Sequence, residues 1–294
     1  MLHLVDASVY IFRAYFSLPD SIRDPAGNPV QAVYGFTRFL VDLLARQRPR
    51  HIACAFDESL TSSFRNRIYP PYKTNRALPP PELEKQLKAC RRAARALGIA
   101  TFASRRYEAD DLIGTLAKRH GRRRTVVVVS RDKDLAQLIR AGDVFWDYAA
   151  DERHDAGSIT AKLGVPPARI PDLLGLAGDA VDNIPGVAGI GAKTAVALLA
   201  AFDSLDMLYA NLDRVASLSL RGASGIAARL AAGRDAAFLS RELATIHCDV
   251  PLNTTLADLR WSGVNDRALS RFFNELGFGA SLRQQVVRLT DSLA

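Results

Sequence analysis

Acidic residues follow the three clearest apolar runs in the sequence, and they are the side chains best suited to chemistry. The runs cover residues 2–5, 52–56 and 125–129, and the acids after them are Asp6, Asp57, Asp132 and Asp134. Short apolar runs of this kind are typical of buried parallel strands. Because ligands bind at the carboxyl ends of the strands in open α/β sheets, we expect these four carboxylates to share one edge.

Two further groups of acids occur in the sequence, the first of them at a predicted helix start. The first contains Glu108, Asp110 and Asp111, and the second is the pair Asp179 and Asp182. Any one of them could be an ordinary helix cap or turn residue. With the strand-end acids, however, the first group brings seven carboxylates to one edge, where their repulsion would amount to several kcal/mol.

This acidic cluster requires either protonation of several members or neutralisation by divalent cations. Its ligands are all oxygens, with no His or Cys, which suits Mg²⁺ and, as a substitute, Mn²⁺. Two such ions could activate a water molecule and stabilise the departing oxygen of a phosphodiester. The sequence therefore predicts a two-ion hydrolytic site, if the fold brings the acids together.

The apolar runs also predict the organisation of the chain. Helical patterns separate the strands, and residues 99–102 and 144–146 are two weaker strand predictions. Residues 1–165 are thus expected to form an α/β domain with a mostly parallel central sheet and flanking helices. Strand patterns disappear after a proline-rich boundary, so residues 166–294 are expected to form an all-helical domain.

Residues 60–97 form a basic segment with nine Lys or Arg and two acids. Prolines interrupt its first half, and its second half predicts a helix with one apolar stripe. The stripe consists of Leu83, Leu87, Cys90, Ala94 and Leu97. For most of the charges the favoured interpretation is a solvated helix face, and the alternative is a basic excursion over the top of the sheet.

A glycine-rich stretch at residues 184–195 resembles a phosphate-binding loop at first sight. Ala192 before Lys193 breaks the P-loop pattern, and Thr194 stands where a dinucleotide-binding fingerprint needs its third glycine. A helix–hairpin–helix fits better, because glycines allow tight turns and a helix N-terminus offers free N–H groups to a DNA phosphate. The DNA-contact candidates are Gly186, Gly189, Gly191, Lys193 and Thr194; the alternative is a simple turn between packed helices.

The composition favours a polyanionic partner and a reducing compartment. The 294 residues include 39 Lys and Arg against 31 Asp and Glu, a net charge of +8, which suits nucleic acid first and an anionic membrane second. Three distant cysteines form neither a disulfide framework nor a zinc cluster. We see no signal peptide and no membrane-spanning stretch, so we expect a soluble, cytoplasmic protein.

The motifs together resemble the 5′-nuclease family, which includes the N-terminal domain of bacterial DNA polymerase I, phage 5′-exonucleases and flap endonucleases. They occur in family order: Val5-Asp6-Ala7-Ser8, Phe12-Arg13-Ala14-Tyr15, Phe56-Asp57, Tyr72-Lys73-Thr74-Asn75-Arg76, Glu108-Ala109-Asp110-Asp111, Asp132-Lys133-Asp134 and the hairpin at residues 178–195. Residues 239–246 also look like the polymerase-type branch. No polymerase domain follows, so the chain resembles free-standing bacterial members.

The resemblance implies a resolvase-like (PIN-like) α/β fold with a helical domain that contains the helix–hairpin–helix. It implies that nine acids hold two divalent ions directly or through water: Asp6, Asp57, Glu108, Asp110, Asp111, Asp132, Asp134, Asp179 and Asp182. Arg13, Lys73 and Arg76 would contact the scissile phosphate, and Tyr72 would either stack on a base or simply pack. The basic segment would form an arch over the site, and the hairpin could bind K⁺.

The implied activity is metal-dependent 5′-3′ exonuclease or flap endonuclease cleavage near 5′ ends, flaps or nicks of DNA. We expect a nucleoid-associated monomer whose polymerase partner acts in trans. Arg106 and Arg131 depart from the family, which usually has Gly there; they could tune metal affinity, add phosphate contacts or compete for the carboxylates. The alternatives are a non-catalytic DNA-binding protein, disfavoured because no acid is missing, and a small α/β ribonuclease, disfavoured by the hairpin.

Overall fold

The computed structural model describes residues 1–58, 62–220 and 222–291 and contains a central six-stranded sheet. The strands are β1 (Leu2–Asp6), β2 (His51–Asp57), β3 (Ala100–Ser104), β4 (Val126–Val129), β5 (Val144–Asp147) and β6 (Glu152–His154). Their order is β3-β2-β1-β4-β5-β6, and only β6 runs antiparallel to its neighbour. The five predicted strands are confirmed. The edge strand β6 was not predicted, because three polar residues carry no strand pattern.

Fourteen α-helices surround the sheet or follow it in the described ranges. They are α1 (Ala7–Ser17), α2 (Gln31–Gln47), α3 (Phe64–Ile68), α4 (Pro81–Ala96), α5 (Ala109–His120), α6 (Ala156–Leu163), α7 (Ile170–Ala177), α8 (Ala192–Phe202), α9 (Leu205–Ala210), α10 (Leu212–Val215), α11 (Ala223–Ala232), α12 (Arg234–Ala244), α13 (Asp266–Glu275) and α14 (Ala280–Asp291). Residues 60–61 of the basic segment and residues 221 and 292–294 of the helical domain lie outside the described residues. None of the described helices is both long and apolar enough to cross a bilayer.

The strands form where side chains can be buried on both faces of the sheet. Every residue of β1 and β4 is buried, and β4 consists of four valines, whose branched side chains suit a covered parallel strand. The parallel register pairs β1 with both β2 and β4. The carboxyl ends of these three strands therefore lie side by side.

Two apolar cores cover the two faces of the sheet. One core joins α5 to helices α7, α8 and α12 of the helical region. The other contains α1, α2 and α4. The helical region is thus packed against the sheet through a continuous apolar core.

The C-terminal segment of the predicted helical domain packs on the opposite face of the sheet from α7, α8 and α12. Leu269, Phe272 and Phe273 of α13 are buried in the core beneath α1, α2 and α4, on the far face of the sheet. Trp261 donates its indole N–H to the Leu97 carbonyl at 2.7 Å, and Arg260 forms a β-bridge with His51. The helical pattern of this segment was predicted, but a helical pattern does not specify which surface the apolar stripe covers.

Candidate active site

Five of the predicted acids line a single pocket of about 430 Å³ at the carboxyl edge of the sheet. Each is placed by the end of a strand or the start of a helix. Asp6 ends β1 and caps α1, Asp57 ends β2, and Asp132 follows β4; Glu108 and Asp110 stand at the start of α5. The fold therefore brings together residues separated by more than a hundred positions of sequence.

Burial and mutual repulsion perturb the acids of this pocket. Burial and the neighbouring Asp57 raise the pKa of Asp6 to about 7, although the Ser130 hydroxyl donates to it at 2.8 Å. Burial, with Asp132 and Asp6 nearby, raises the pKa of Asp110 well above its usual value. Because opposite charges would relieve both effects, the pocket is suited to cations.

Three more acids lie beside the pocket. Burial, Asp132 and Asp182 raise the pKa of Asp134 to about 7, and its buried Oδ1 has no hydrogen-bond partner in the described part of the chain. Asp179 pairs with the Lys133 ammonium at 3.0 Å. Asp182 pairs with Lys73 and Arg76. An oxygen that is buried and unpartnered is unusual in a folded protein and indicates a ligand position.

The predicted cations Lys73 and Arg76 reach the pocket and are engaged by these acids. The Lys73 ammonium lies 2.6 Å from a Glu108 oxygen, and Arg76 pairs closely with Asp182. Burial disfavours the charged form of Glu108, but Lys73 and Arg65 outweigh it and lower its pKa to about 2. Both cations line the pocket, so a phosphate entering it would meet them directly.

Two predicted DNA contacts are placed differently. Tyr72 is only 3% exposed and donates its hydroxyl to Glu108 at 3.2 Å, so it packs against the site and cannot stack on a base. Arg13 lies on the other side of α1, in a separate groove that it shares with Tyr10 and Arg38. Its helical position turns it away from the acids, and the prediction that it contacts the scissile phosphate is not supported here.

Asp111 must also be corrected, because it faces the helical region instead of the pocket. Its two oxygens accept two hydrogen bonds of 2.8 Å from the Arg65 guanidinium. It also accepts from the backbone N–H groups of His247 at 2.9 Å and Glu108 at 3.0 Å. These four donors engage both oxygens and hold the carboxylate outside the pocket, which gives it a structural role in the described structure.

Arg65 is the residue supporting the site that the sequence did not single out. It is one of the nine basic residues of the 60–97 segment, for most of which a solvated face was the favoured interpretation, yet its side chain is 3% exposed. Besides Asp111 it donates to the carbonyls of Leu243 at 2.8 Å and Thr245 at 2.9 Å. Its partners lie 46 to 180 positions away, so no local spacing could have revealed it.

The donor set fits a hard divalent cation. The acids that line the pocket offer carboxylate oxygens, with no His or Cys beside them, and the buried Oδ1 of Asp134 has no hydrogen-bond partner among the described residues. Among the described residues, no three acid, histidine or cysteine side chains already stand at the spacing of a complete metal shell. Such an arrangement suits an ion that keeps several of its waters, as Mg²⁺ does.

The glycine-rich stretch forms a hairpin between α7 and α8. Gly191 caps α8, and Gly189, Gly191 and Lys193 are exposed, while Thr194 is half-buried. Gly186 is buried instead: its N–H donates to the Ser240 hydroxyl at 2.9 Å. Gly186 therefore shapes the turn and does not face DNA, which corrects its predicted role.

A second feature of the hairpin bears on the predicted ion. The Arg229 guanidinium donates to the Gly189 carbonyl at 3.1 Å. A K⁺ ion bound through that carbonyl would have to compete with the guanidinium.

Comparisons with known proteins match both parts of the chain. The family model of the 5′-3′ exonuclease N-terminal resolvase-like domain matches residues 1–164, and the family model of the 5′-3′ exonuclease C-terminal SAM fold matches residues 165–267. The chain belongs to the 5′-3′ exonuclease family. The family and fold class predicted from the sequence are thereby confirmed.

Relatives within this family differ in length. The 5′-3′ exonuclease of Buchnera aphidicola is 34% identical over 271 residues, which cover 92% of this chain and 89% of that protein. DNA polymerase I of Pseudomonas aeruginosa is 39% identical over 279 residues, covering 94% of this chain and 30% of the polymerase. The chain thus spans about a third of the length of its DNA polymerase I relatives.

Solved structures share the fold of the chain. The T5 5′-exonuclease with bound zinc has a TM-score of 0.68 at 20% identity and covers 94% of this chain and 97% of its own. The catalytic core of Rad2 in complex with a DNA substrate has a TM-score of 0.64 at 17% identity, covering 98% of this chain and 91% of its own. At such identities the likeness establishes the architecture.

Proposed function

We propose that the chain is a nuclease that uses two Mg²⁺ ions, or Mn²⁺ in their place, to hydrolyse phosphodiester bonds near 5′ ends of DNA. The observation that carries the proposal is the convergence of five acids in one pocket that Lys73 and Arg76 also line. A site of carboxylates alone would repel a phosphate. Cations bound to the acids, together with the two basic side chains, would reverse that sign.

The pocket residues have separate tasks in this proposal. Asp6, Asp57, Glu108, Asp110 and Asp132 would hold the ions, with Asp134, Asp179 and Asp182 acting directly or through water. Bound divalent ions would supply an activated water and stabilise the leaving oxygen.

Lys73 and Arg76 would contact the scissile phosphate, whose charge they are placed to stabilise in the transition state. In the structure they are held by Glu108 and Asp182. A phosphate would therefore compete with these acids for the same cations.

The hairpin would hold the DNA backbone away from the cut. The first turn of α8 leaves N–H groups free, and the exposed Lys193 adds a charge, a combination that binds phosphate without reading sequence. The T5 nuclease has been solved as a pseudo-enzyme-product complex with DNA and metal ions, with a TM-score of 0.64 to this chain. That neighbour is a flap endonuclease and supports DNA as the substrate; DNA with 5′ ends, flaps or nicks is the substrate class that we propose.

All the acids of the pocket come from one chain, so a monomer would be sufficient for catalysis. The polymerase I relatives carry the corresponding segment within a DNA polymerase. We therefore propose that the chain acts alongside a polymerase activity.

The decisive assay measures product lengths from 5′-labelled flap, nicked and single-stranded DNA with Mg²⁺, Mn²⁺ or chelator. We expect cleavage with either ion and none in chelator. Asp132→Asn should lower the rate by about 10²-fold or more, while Asp249→Asn, which alters an exposed acid paired with Lys118, should not. Full cleavage by Asp132→Asn, or cleavage in chelator, would contradict the proposal.

Lys73→Ala separates transition-state stabilisation from binding. Because its ammonium is aimed into the pocket, kcat should fall more than DNA affinity. Lys118→Ala removes an equally charged but exposed side chain and serves as the control. A loss confined to affinity would remove Lys73 from the catalytic role.

A further inference from the structure

Arg131 stands on the rim of the acidic pocket, on the side of β5. It follows β4, lines the pocket and is about half exposed. Its Nε donates to the Asp147 carboxylate at 2.9 Å. In the described structure the guanidinium thus pairs with the acid at the end of β5 and with none of the acids proposed to hold the ions. This placement argues against the expectation that Arg131 competes with the ions for those carboxylates.

Asp147 is a fixed anchor for this guanidinium. Its second oxygen accepts hydrogen bonds from the backbone N–H groups of Ala149 at 3.1 Å and Ala150 at 3.3 Å. The carboxylate is therefore oriented by the turn that follows β5, and only 16% of it is exposed. Side chains held in this way lose less entropy when they bind a ligand.

The terminal nitrogens of Arg131 remain available. No described residue accepts a hydrogen bond from them, whereas Lys73 and Arg76 are already paired with Glu108 and Asp182. A guanidinium fork with free nitrogens is well matched to two phosphate oxygens. The cations that line the pocket come from two different parts of the chain: Lys73 and Arg76 lie between α3 and α4, and Arg131 lies between β4 and β5.

We propose that Arg131, oriented by Asp147, is a binding site for a phosphate of the DNA strand adjacent to the phosphate held over the acids. The proposal rests on the nuclease function and deepens it by naming a substrate contact. The phosphate could be an internal phosphodiester or a terminal 5′-phosphate, since both present the same oxygens.

The first test measures binding of nicked DNA in chelator, where no cleavage occurs. Arg131→Ala should weaken binding about tenfold and lower the slope of log affinity against log salt by about 1. Arg131→Lys should restore the slope but only part of the affinity, because it keeps the charge and loses the fork. Arg106→Ala is the matched control: Arg106 is exposed, lies over the Tyr107 ring and does not line the pocket.

The second test locates the phosphate by replacing single phosphates with uncharged methylphosphonates. Neutralising the contacted phosphate should remove the difference between wild type and Arg131→Ala, while neutralising others should leave it intact. Comparing 5′-hydroxyl with 5′-phosphate ends shows which source is used. Asp147→Asn should weaken DNA binding when Arg131 is present and should have no effect on DNA binding in the Arg131→Ala background.

Equal affinity and equal salt slope for wild type and Arg131→Ala would overturn the proposal. So would a tenfold loss that no single methylphosphonate abolishes, because that result indicates a general charge effect. Both readouts are binding measurements without metal. Failure here therefore leaves metal-dependent cleavage untouched, and failure of cleavage leaves this test valid.

Discussion

Replacing Arg65 with Ala tests the reassignment of Asp111 most severely. Arg65 donates to Asp111 through two 2.8 Å bonds and to the carbonyls of Leu243 and Thr245. Its removal leaves a wholly buried carboxylate with two backbone donors and no counter-charge. Breaking one partner of a buried ion pair costs about 3–5 kcal/mol, so we expect a loss of that size in the free energy of unfolding.

Urea denaturation measures this loss, and the chain supplies a matched control. Arg92 makes the same two-bond pair with Glu275, but both side chains are more than half exposed. Arg92→Ala should therefore cost about 0–1 kcal/mol. Equal small losses for Arg65→Ala and Arg92→Ala would refute the reasoning, because burial would then have no energetic consequence.

A substitution of Asp111 itself separates a structural role from a metal-binding role for this residue. Asp111→Asn should reduce stability strongly and leave unchanged the Mg²⁺ concentration that gives half-maximal cleavage. A rise of that concentration at unchanged stability would restore Asp111 to the metal site.

Three other outcomes follow from the site and the hairpin. In chelator, the pKa values of Asp6 and Asp134 are both raised to about 7, so the folded state binds more protons than the unfolded state between about pH 4 and 7. The free energy of unfolding should therefore fall as pH rises through that window. Mg²⁺ should accordingly raise Tm more at pH 8 than at pH 5. Asp110→Asn should raise Tm in chelator while abolishing cleavage, since it removes a half-buried charge that the neighbouring Asp132 and Asp6 repel; an unchanged Tm would contradict this. Gly186→Ala should lower the free energy of unfolding by about 2 kcal/mol or more, because φ is 62° and an added Cβ would lie 2.3 Å from the Gly178 nitrogen. A Cβ added at Gly191 meets nothing within 4 Å, so Gly191→Ala should leave Tm unchanged in thermal denaturation.

The sheet and its acidic edge could be predicted because both depend on local pattern. Apolar runs specify buried strands, and an acid directly after such a run must lie at the strand's carboxyl end. Asp6 and Asp57 follow this rule without any knowledge of tertiary structure. The glycines of the hairpin were likewise informative, because Gly186 and Gly189 both adopt positive φ.

The remaining features depend on packing between distant segments. Asp111 and Asp110 are neighbours in sequence, yet helix geometry turns one toward Arg65 and the other into the pocket. Tyr72 lies among cations in the sequence, but the docking of its loop against Asp182 buries it. The direction of a side chain on a helix or loop is decided by what packs against it, and spacing alone does not contain that information.

Calorimetric titration of Mn²⁺ into the metal-free chain tests the central claim most directly, since the acids brought together at one sheet edge must then bind divalent ions. We expect saturable binding in wild type, strong weakening in Asp132→Asn, and no change in Asp249→Asn. Absence of saturable binding, or equal binding by all three proteins, would contradict the account.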